Sequence, residues 1–432
     1  MIIWKSLNSV EKKQVLKRPA LEQDDLLQKQ VAEIIEAVRL RGDVAVSEFT
    51  KRFDGVEVDD PWVSPMEIDS AITGLDSKIK VAIDIAYSQI KAFHTAQIQP
   101  EPEVIETTVG VKCTLRVQAM EAVGLYVPGG ATPLPSTALM LGVPAQLAGC
   151  PRTIMVTPPN QQGGIAPEIL YAAFKCGITD IYKMGGAQAI AALAYGTESY
   201  DGVDKVYGPG NRYVTAAKQQ VSQVPGLVAI DMPAGPSEVL VIADKNANPT
   251  FVAIDLLSQA EHGPDSQVVL LSDSEALIKA VMIEVSRLTK ILERRLIIAK
   301  SLAHARYILV DSIDEAIQVS NSYAPEHLIM QVDESSQYLD EIKNAGSIFL
   351  GPWTPESAGD YASGTNHVLP TYGAARFTSS LGLTDFQKRC TIQEISREGL
   401  ENLGSTIMTL AASEGLTAHE QAVALRLKAG DK

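Results

Sequence analysis

Between residues 123 and 350, short apolar runs alternate with stretches of helical periodicity, and this alternation constrains the fold more than any other feature of the chain. Parallel strands cannot be joined by tight hairpins, so a helix must return the chain to the start of each new strand. Strands are expected at 123–127, 153–157, 180–184, 205–207 and 227–230, with helices over 136–148, 166–175, 187–195 and 211–223. A second series runs through 239–243, 268–272, 307–310, 328–332 and 347–350. The expected fold class is therefore α/β, with two tandem Rossmann-like, incomplete, parallel-sheet modules and helical N- and C-terminal segments. No residue-level repeat relates the modules. A chain of 432 residues is also too long for one ordinary core.

The expected division is an N-terminal segment over 1–22, a first module over 123–233, a discontinuous second module from 23–122 and 234–382, and a C-terminal helical segment over 383–432. Leu27, Val31, Ile34, Ile35 and Val38 recur at helical spacing from Glu22 to about Leu40, and Arg41-Gly42-Asp43 breaks the pattern before a second helix toward Phe53. A longer helix is expected over 76–97, with His94 partly exposed in its last turn or stabilising its C-terminus. Residues 104–117 have strand composition, with Gly110 at a turn or bulge. This opening third is expected to carry little chemistry.

Glycines follow three expected strands of the first module, in Pro128-Gly129-Gly130, Gly185-Gly186-Ala187-Gln188 and Gly208-Pro209-Gly210-Asn211. Open α/β sheets bind ligands there, beside helix N-termini. No proper GxGxxG is present, since Tyr213 stands where the third glycine belongs. Nucleotide docking and plain tight βα turns both fit.

In the second series, Gln259 and His262 share one face near a helix end that Gly263-Pro264 stops, and could hold one ion between an amide oxygen and an imidazole. A helix cap or surface pair fits the same spacing. Glu326-His327, at the start of an expected strand, has the makeup of an acid/base pair. The irregular stretch 353–381 contains Asp360, Asn366 and His367. Two helices follow, over 398–410 and 417–427, and Thr417 with Glu420 reads as a capping box that sets His419 in a first turn.

A net charge of −15 argues against a nucleic-acid partner, which needs clustered Lys and Arg. Cys113, Cys150, Cys176 and Cys390 form no metal-ligand spacing and are too few for a disulfide framework, so a reducing compartment is expected. Met1-Ile-Ile-Trp-Lys-Ser lacks the apolar core of a signal peptide and no apolar run reaches a membrane span, so the expected location is the cytoplasm, with no membrane partner.

The chain resembles the histidinol dehydrogenase family nearly end to end. The resemblance is carried by Gly124-Leu-Tyr-Val-Pro-Gly-Gly130, Gly185-Gly-Ala-Gln188-Ala-Ile, Val206-Tyr-Gly-Pro-Gly-Asn211, Asp231-Met-Pro-Ala-Gly-Pro-Ser237-Glu, Ser258-Gln-Ala-Glu-His262-Gly, Tyr323-Ala-Pro-Glu-His327-Leu, Ser357-Ala-Gly-Asp360-Tyr-Ala-Ser-Gly-Thr-Asn-His367 and Ser413-Glu414-Gly-Leu-Thr-Ala-His419.

That resemblance implies one zinc ion per subunit, held by Gln259, His262, Asp360 and His419. It implies substrate contacts from these four and from Ser237, His327, His367 and Glu414, and NAD along Tyr126, Gln188 and Asn211. The implied reaction oxidises L-histidinol to L-histidine through L-histidinaldehyde, in the last steps of histidine biosynthesis, with two NAD. His327 is the implied base and Glu326 activates the water that hydrates the aldehyde. The resemblance also implies a homodimer with shared active sites, in which the C-terminal segment carries Glu414 and His419 to the partner. Oxidation of another amino alcohol on the same scaffold, and a zinc hydrolase, are the rival readings.

Overall fold

A computed structural model describes residues 1–18, 25–100, 102–129, 132–232 and 235–429. Gly130, residues 22–24 of the expected first helix and residues 233–234 of the Asp231–Ser237 motif lie outside them.

The first strand series forms a parallel sheet of five strands in the order Asp180–Lys183, Arg152–Thr157, Ala122–Tyr126, Lys205–Tyr207, Ala229–Ile230. The second forms a parallel sheet of six in the order Ile2–Ile3, Arg306–Leu309, Gln267–Ser272, Glu238–Ala243, His327–Gln331, Ser347–Leu350. Strands expected from their apolar runs thus stand within a residue or two of their places. The two N-terminal residues that add an edge strand carried no such signal. Glu238–Ala243, Gln267–Ser272 and His327–Gln331 are buried along their full length, as a sheet covered by helices on both faces requires. Each fully buried Val, Leu or Ile there contributes about 1.5–3 kcal/mol.

The helix Asp25–Phe53 is broken at Gly42, whose φ of 50° and ψ of −129° are non-helical. Its stripe of Leu27, Val31, Ile34, Ile35 and Val38 packs on Ala187, Ile190 and Val214 of the first module. Ser77–Thr95 likewise packs Ile83, Ala86 and Ile90 against Leu139 and Met140 of the helix Pro135–Ala148. The helices of residues 25–95 therefore cover the five-stranded sheet, whereas the expected division joined 23–122 to 234–382. Periodicity shows that a helix has an apolar face, but not which sheet receives it. His94 is a second departure. It lies one turn past Ile90 on the same stripe, is fully buried, and has its Nε2 3.5 Å from the Asn366 side-chain nitrogen.

Ile105–Thr108 and Val111–Ala119 form an antiparallel hairpin around Gly110, which has a φ of 80°. Gln387–Ile395 pairs with the outer edge of Val111–Ala119 and leads into Arg397–Ser413 and Thr417–Lys428, which pack on each other through Gly404, Val423 and Leu427. Thr417 and Glu420 form no capping box. Leu416 takes the N-cap position, so the Thr417 hydroxyl already lies inside the first turn. This arm leaves Ile392, Leu410, Leu416 and Leu425 exposed. Among the described residues, no helix is long and apolar enough to cross a membrane.

Candidate active site

In the six-stranded sheet the helix Pro249–Ala260 leaves the carboxyl end of Glu238–Ala243 and runs back antiparallel, so its last turn reaches the amino ends of the strands. Gln259 occupies that last turn and His262 stands just beyond it. Glu238 opens one central strand and His327 the adjacent one, with His327 in register with Val239. Pairing of strands that are distant in sequence thus sets Glu326 and His327 beside a helix end almost seventy residues earlier.

The main chain of Glu238 holds both Glu326 and His327. Its N–H donates to Glu326 Oε2 at 2.7 Å, and its carbonyl lies 3.0 Å from His327 Nδ1. A carbonyl only accepts, so Nδ1 carries the ring proton and Nε2 is left with a lone pair. Nε2 is buried without a hydrogen-bond partner and lies 3.9 Å from Asp360 Oδ1. Burial pushes the pKa of His327 down to about 3, helped by the nearby His262 and His367, so the ring is neutral. Burial pushes Glu326 well above the usual carboxylate range.

Asp360 does not lie in an irregular loop as expected. It sits on a short helix, Glu356–Tyr361, one turn after Glu356. His262, Glu356 and Asp360 each offer a ligand atom, and these atoms lie within 4.8 Å of one another. Gln259 is fully buried with neither amide atom partnered, and both carboxylate oxygens of the buried Glu356 are also unpartnered. Such orphaned polar atoms are costly unless a ligand satisfies them. The oxygen and nitrogen donor set fits a zinc ion. Burial raises Asp360 to about 6. Glu356 was missed in the sequence, although its four-residue spacing from Asp360 places both on one helical face.

The five-stranded sheet contributes its opposite edge. The chain starts at the central strand Ala122–Tyr126, steps outward to one side, then crosses back to Lys205–Tyr207 on the other. The carboxyl ends of these two strands form the crevice where open α/β sheets bind nucleotides. Tyr126 ends the first, and its hydroxyl accepts from the Gly186 N–H at 3.2 Å. Gly208 follows the second with a φ of 118°, and a Cβ there would run into the Tyr126 carbonyl. Asn211 caps the next helix, accepting from Tyr213 and Val214. Gln188 is buried with both amide atoms unpartnered, as a residue awaiting a polar ligand would be. These features fit a dinucleotide.

The two edges face each other. His367 Nδ1 lies 2.9 Å from the Asp360 carbonyl, and its Nε2 is 3.3 Å from the hydroxyl of Thr137, in the first turn of the helix after Ala122–Tyr126. Burial holds the His367 pKa down at about 4. Asn366 reinforces the junction by donating to the Met140 carbonyl at 2.7 Å. Ser237 lies next to Glu238, partly buried, its carbonyl accepting from the Gln267 N–H. The fold thus gathers Gln259, His262, Glu326, His327, Asp360 and His367. Glu414 and His419 stand exposed on the C-terminal arm, and among the described residues neither side chain makes a hydrogen bond or ion pair.

A glycine-lined crevice at strand carboxyl ends, facing a buried histidine and a cluster of oxygen and nitrogen donors across two Rossmann-like modules, has the makeup of an α/β oxidoreductase site. The family model for histidinol dehydrogenase matches residues 16–427. The histidinol dehydrogenase of Colwellia psychrerythraea is 55% identical over 430 residues, covering 100% of this chain and 99% of the relative. That of Vibrio parahaemolyticus is 52% identical, covering 99% and 98%. The crystal structure of histidinol dehydrogenase from Elizabethkingia anophelis superposes with a TM-score of 0.94 at 47% identity, covering 99% of this chain and 98% of that one. The chain belongs to the histidinol dehydrogenase family, oxidoreductases of histidine biosynthesis.

Proposed function

We propose that the protein oxidises L-histidinol to L-histidine through L-histidinaldehyde, with zinc and two NAD per product. The observation that carries this reading is the unpartnered His327 Nε2, aimed at Asp360 where the two module edges meet. Gln259, His262 and Asp360 hold zinc, with Glu356 beside them and His419 supplied by a second subunit; the ion, when bound, supplies a template that orients the substrate's nitrogens. Tyr126, Gln188 and Asn211 line the place of NAD, which supplies the hydride acceptor. His327 Nε2 takes the hydroxyl proton of the alcohol and again that of the hydrated aldehyde, while Nδ1 stays fixed on the Glu238 carbonyl. Glu326 orients the water that forms the hydrate, and His367 and Ser237 line the substrate.

Glu414 and His419 lie on an arm whose apolar side chains are exposed, which supports a homodimer with shared sites, each arm completing its partner's. The four free cysteines support a cytoplasmic location. The test is NADH formation from L-histidinol and NAD before and after chelation. Two NADH per histidine, lost on chelation and restored by zinc, is expected. Release of a product without NADH would turn the reading to a hydrolase, and NADH only with other amino alcohols would change the substrate. Mixing His419→Ala with Glu326→Gln subunits tests the crossing, since hybrid dimers regain activity only if sites are shared.

A further inference from the structure

Behind Glu326 and His327 lies an ion pair that reaches no reacting atom. Arg18, just past the helix Ser9–Val15, grips the Glu238 carboxylate with two parallel hydrogen bonds, Nε to Oε1 at 2.5 Å and Nη2 to Oε2 at 2.8 Å. The same Nη2 donates to the carbonyls of Tyr323 at 2.8 Å and Ala324 at 3.2 Å, and the guanidinium lies 4.0 Å over the Tyr323 ring. The Glu238 side chain is only 2% exposed, and its Oε1 also accepts from the Tyr372 N–H at 3.0 Å.

Backbone strain singles out the same contacts. Among the described residues, three that are not glycine adopt positive φ: Ala324 at 55°, Glu334 at 50° and Tyr372 at 56°. Two of the three are fastened to this pair, Ala324 through its carbonyl and Tyr372 through its N–H. Side-chain-bearing residues keep that conformation only where the surroundings enforce it. Ala324 leads through Pro325 directly into Glu326 and His327, and the Glu238 main chain bonds both of their side chains. A buried ion pair adds little net stability over apolar packing, although removing one partner strands a buried charge.

We propose that Arg18 is a positioning residue for the reaction: through the Glu238 carboxylate and the Ala324 carbonyl it sets the main chain that fixes the His327 ring and Glu326. Lysine cannot replace it, because one ammonium cannot bridge two carboxylate oxygens and two carbonyls while stacking on a ring.

The proposal rests in part on the reading of His327 as base, so one readout is independent of turnover. The chain has six histidines, and in zinc-loaded, ¹⁵N-histidine-labelled protein the His327 ring, assigned with His327→Asn, reports its tautomer by NMR. Arg18→Met is expected to lower kcat by roughly tenfold to a hundredfold, with KM for L-histidinol and zinc content within about threefold of wild type, and to mix the His327 tautomers. Arg18→Lys should recover only part of the loss. Glu238→Gln, nearly isosteric, serves if Arg18→Met does not fold, and the double variant should lose no more than the worse single. Full kcat, an unchanged tautomer, or a loss confined to KM or zinc content in folded protein overturns the proposal. Wild-type protein that forms no NADH sinks the reading of the reaction instead, and the tautomer still decides the role of Arg18.

Discussion

The two parallel sheets meet the cleft with opposite ends. The five-stranded sheet offers carboxyl ends, glycine turns and helix N-termini such as that of Arg212–Ser222. The six-stranded sheet offers amino ends and the C-terminus of Pro249–Ala260, with buried Glu326 and Glu356 close by. Helix N-termini present N–H groups and partial positive charge, which suit a phosphate. Helix C-termini present carbonyls and partial negative charge, which suit a cation. On the proposed reading, two modules of one architecture divide the work of a site by direction alone, one edge for an anionic cofactor and the other for a metal and a base.

Substitution on each edge separates the two jobs. His327→Asn is expected to lower kcat by roughly a hundredfold to ten-thousandfold with zinc retained, because it removes the proposed proton acceptor and leaves the donors in place. Near-normal NADH formation would remove His327 as the base and break the comparison on the amino side. Glu356→Gln should weaken zinc binding roughly tenfold to a hundredfold in a chelator competition, with KM for NAD unchanged. Undiminished zinc affinity would show that Glu356 plays no part in holding the ion.

On the carboxyl side, Gln188→Met should raise KM for NAD about tenfold while the ligand-free protein melts no lower, since the two orphaned amide atoms disappear. A lower melting temperature with unaltered KM would make Gln188 structural. The smallest effect concerns Asp255, buried behind the donors with Gln331 Nε2 3.3 Å from its Oδ2. Burial raises it from 3.8 to about 7, so its contribution to stability is fully present below the unfolded value and is lost as pH rises through about 7. Asp255→Asn should therefore melt a few degrees above wild type at pH 8, with the difference shrinking toward pH 5. A difference that grows toward pH 5 would contradict the buried charge.

The sequence revealed most where physics is local. Short apolar runs and period-3.6 patterns located the strands and helices of both modules, and the three-residue spacing of Gln259 and His262 placed both on one side of a helix end. It revealed less where a feature depends on a distant partner. His94 read as partly exposed because the last turn of a helix usually frays into solvent, yet its stripe continues under Pro135–Ala148. Glu356 had a legible spacing but lay in a stretch whose glycines and prolines hid a short helix. Arg18 was missed, because nothing near it in the chain points to Glu238.

By itself the sequence determined the fold class, the succession of strands and helices, and, through its motifs, the family, since periodicity and short motifs are written in neighbouring residues. Tertiary structure decided which helices cover which sheet, that the carboxyl edge of one sheet faces the amino edge of the other, and that Glu238 links Arg18 to His327. Those outcomes depend on strand order and on pairings across tens to hundreds of residues, and such pairings come from burying complementary surfaces together, which no local pattern records.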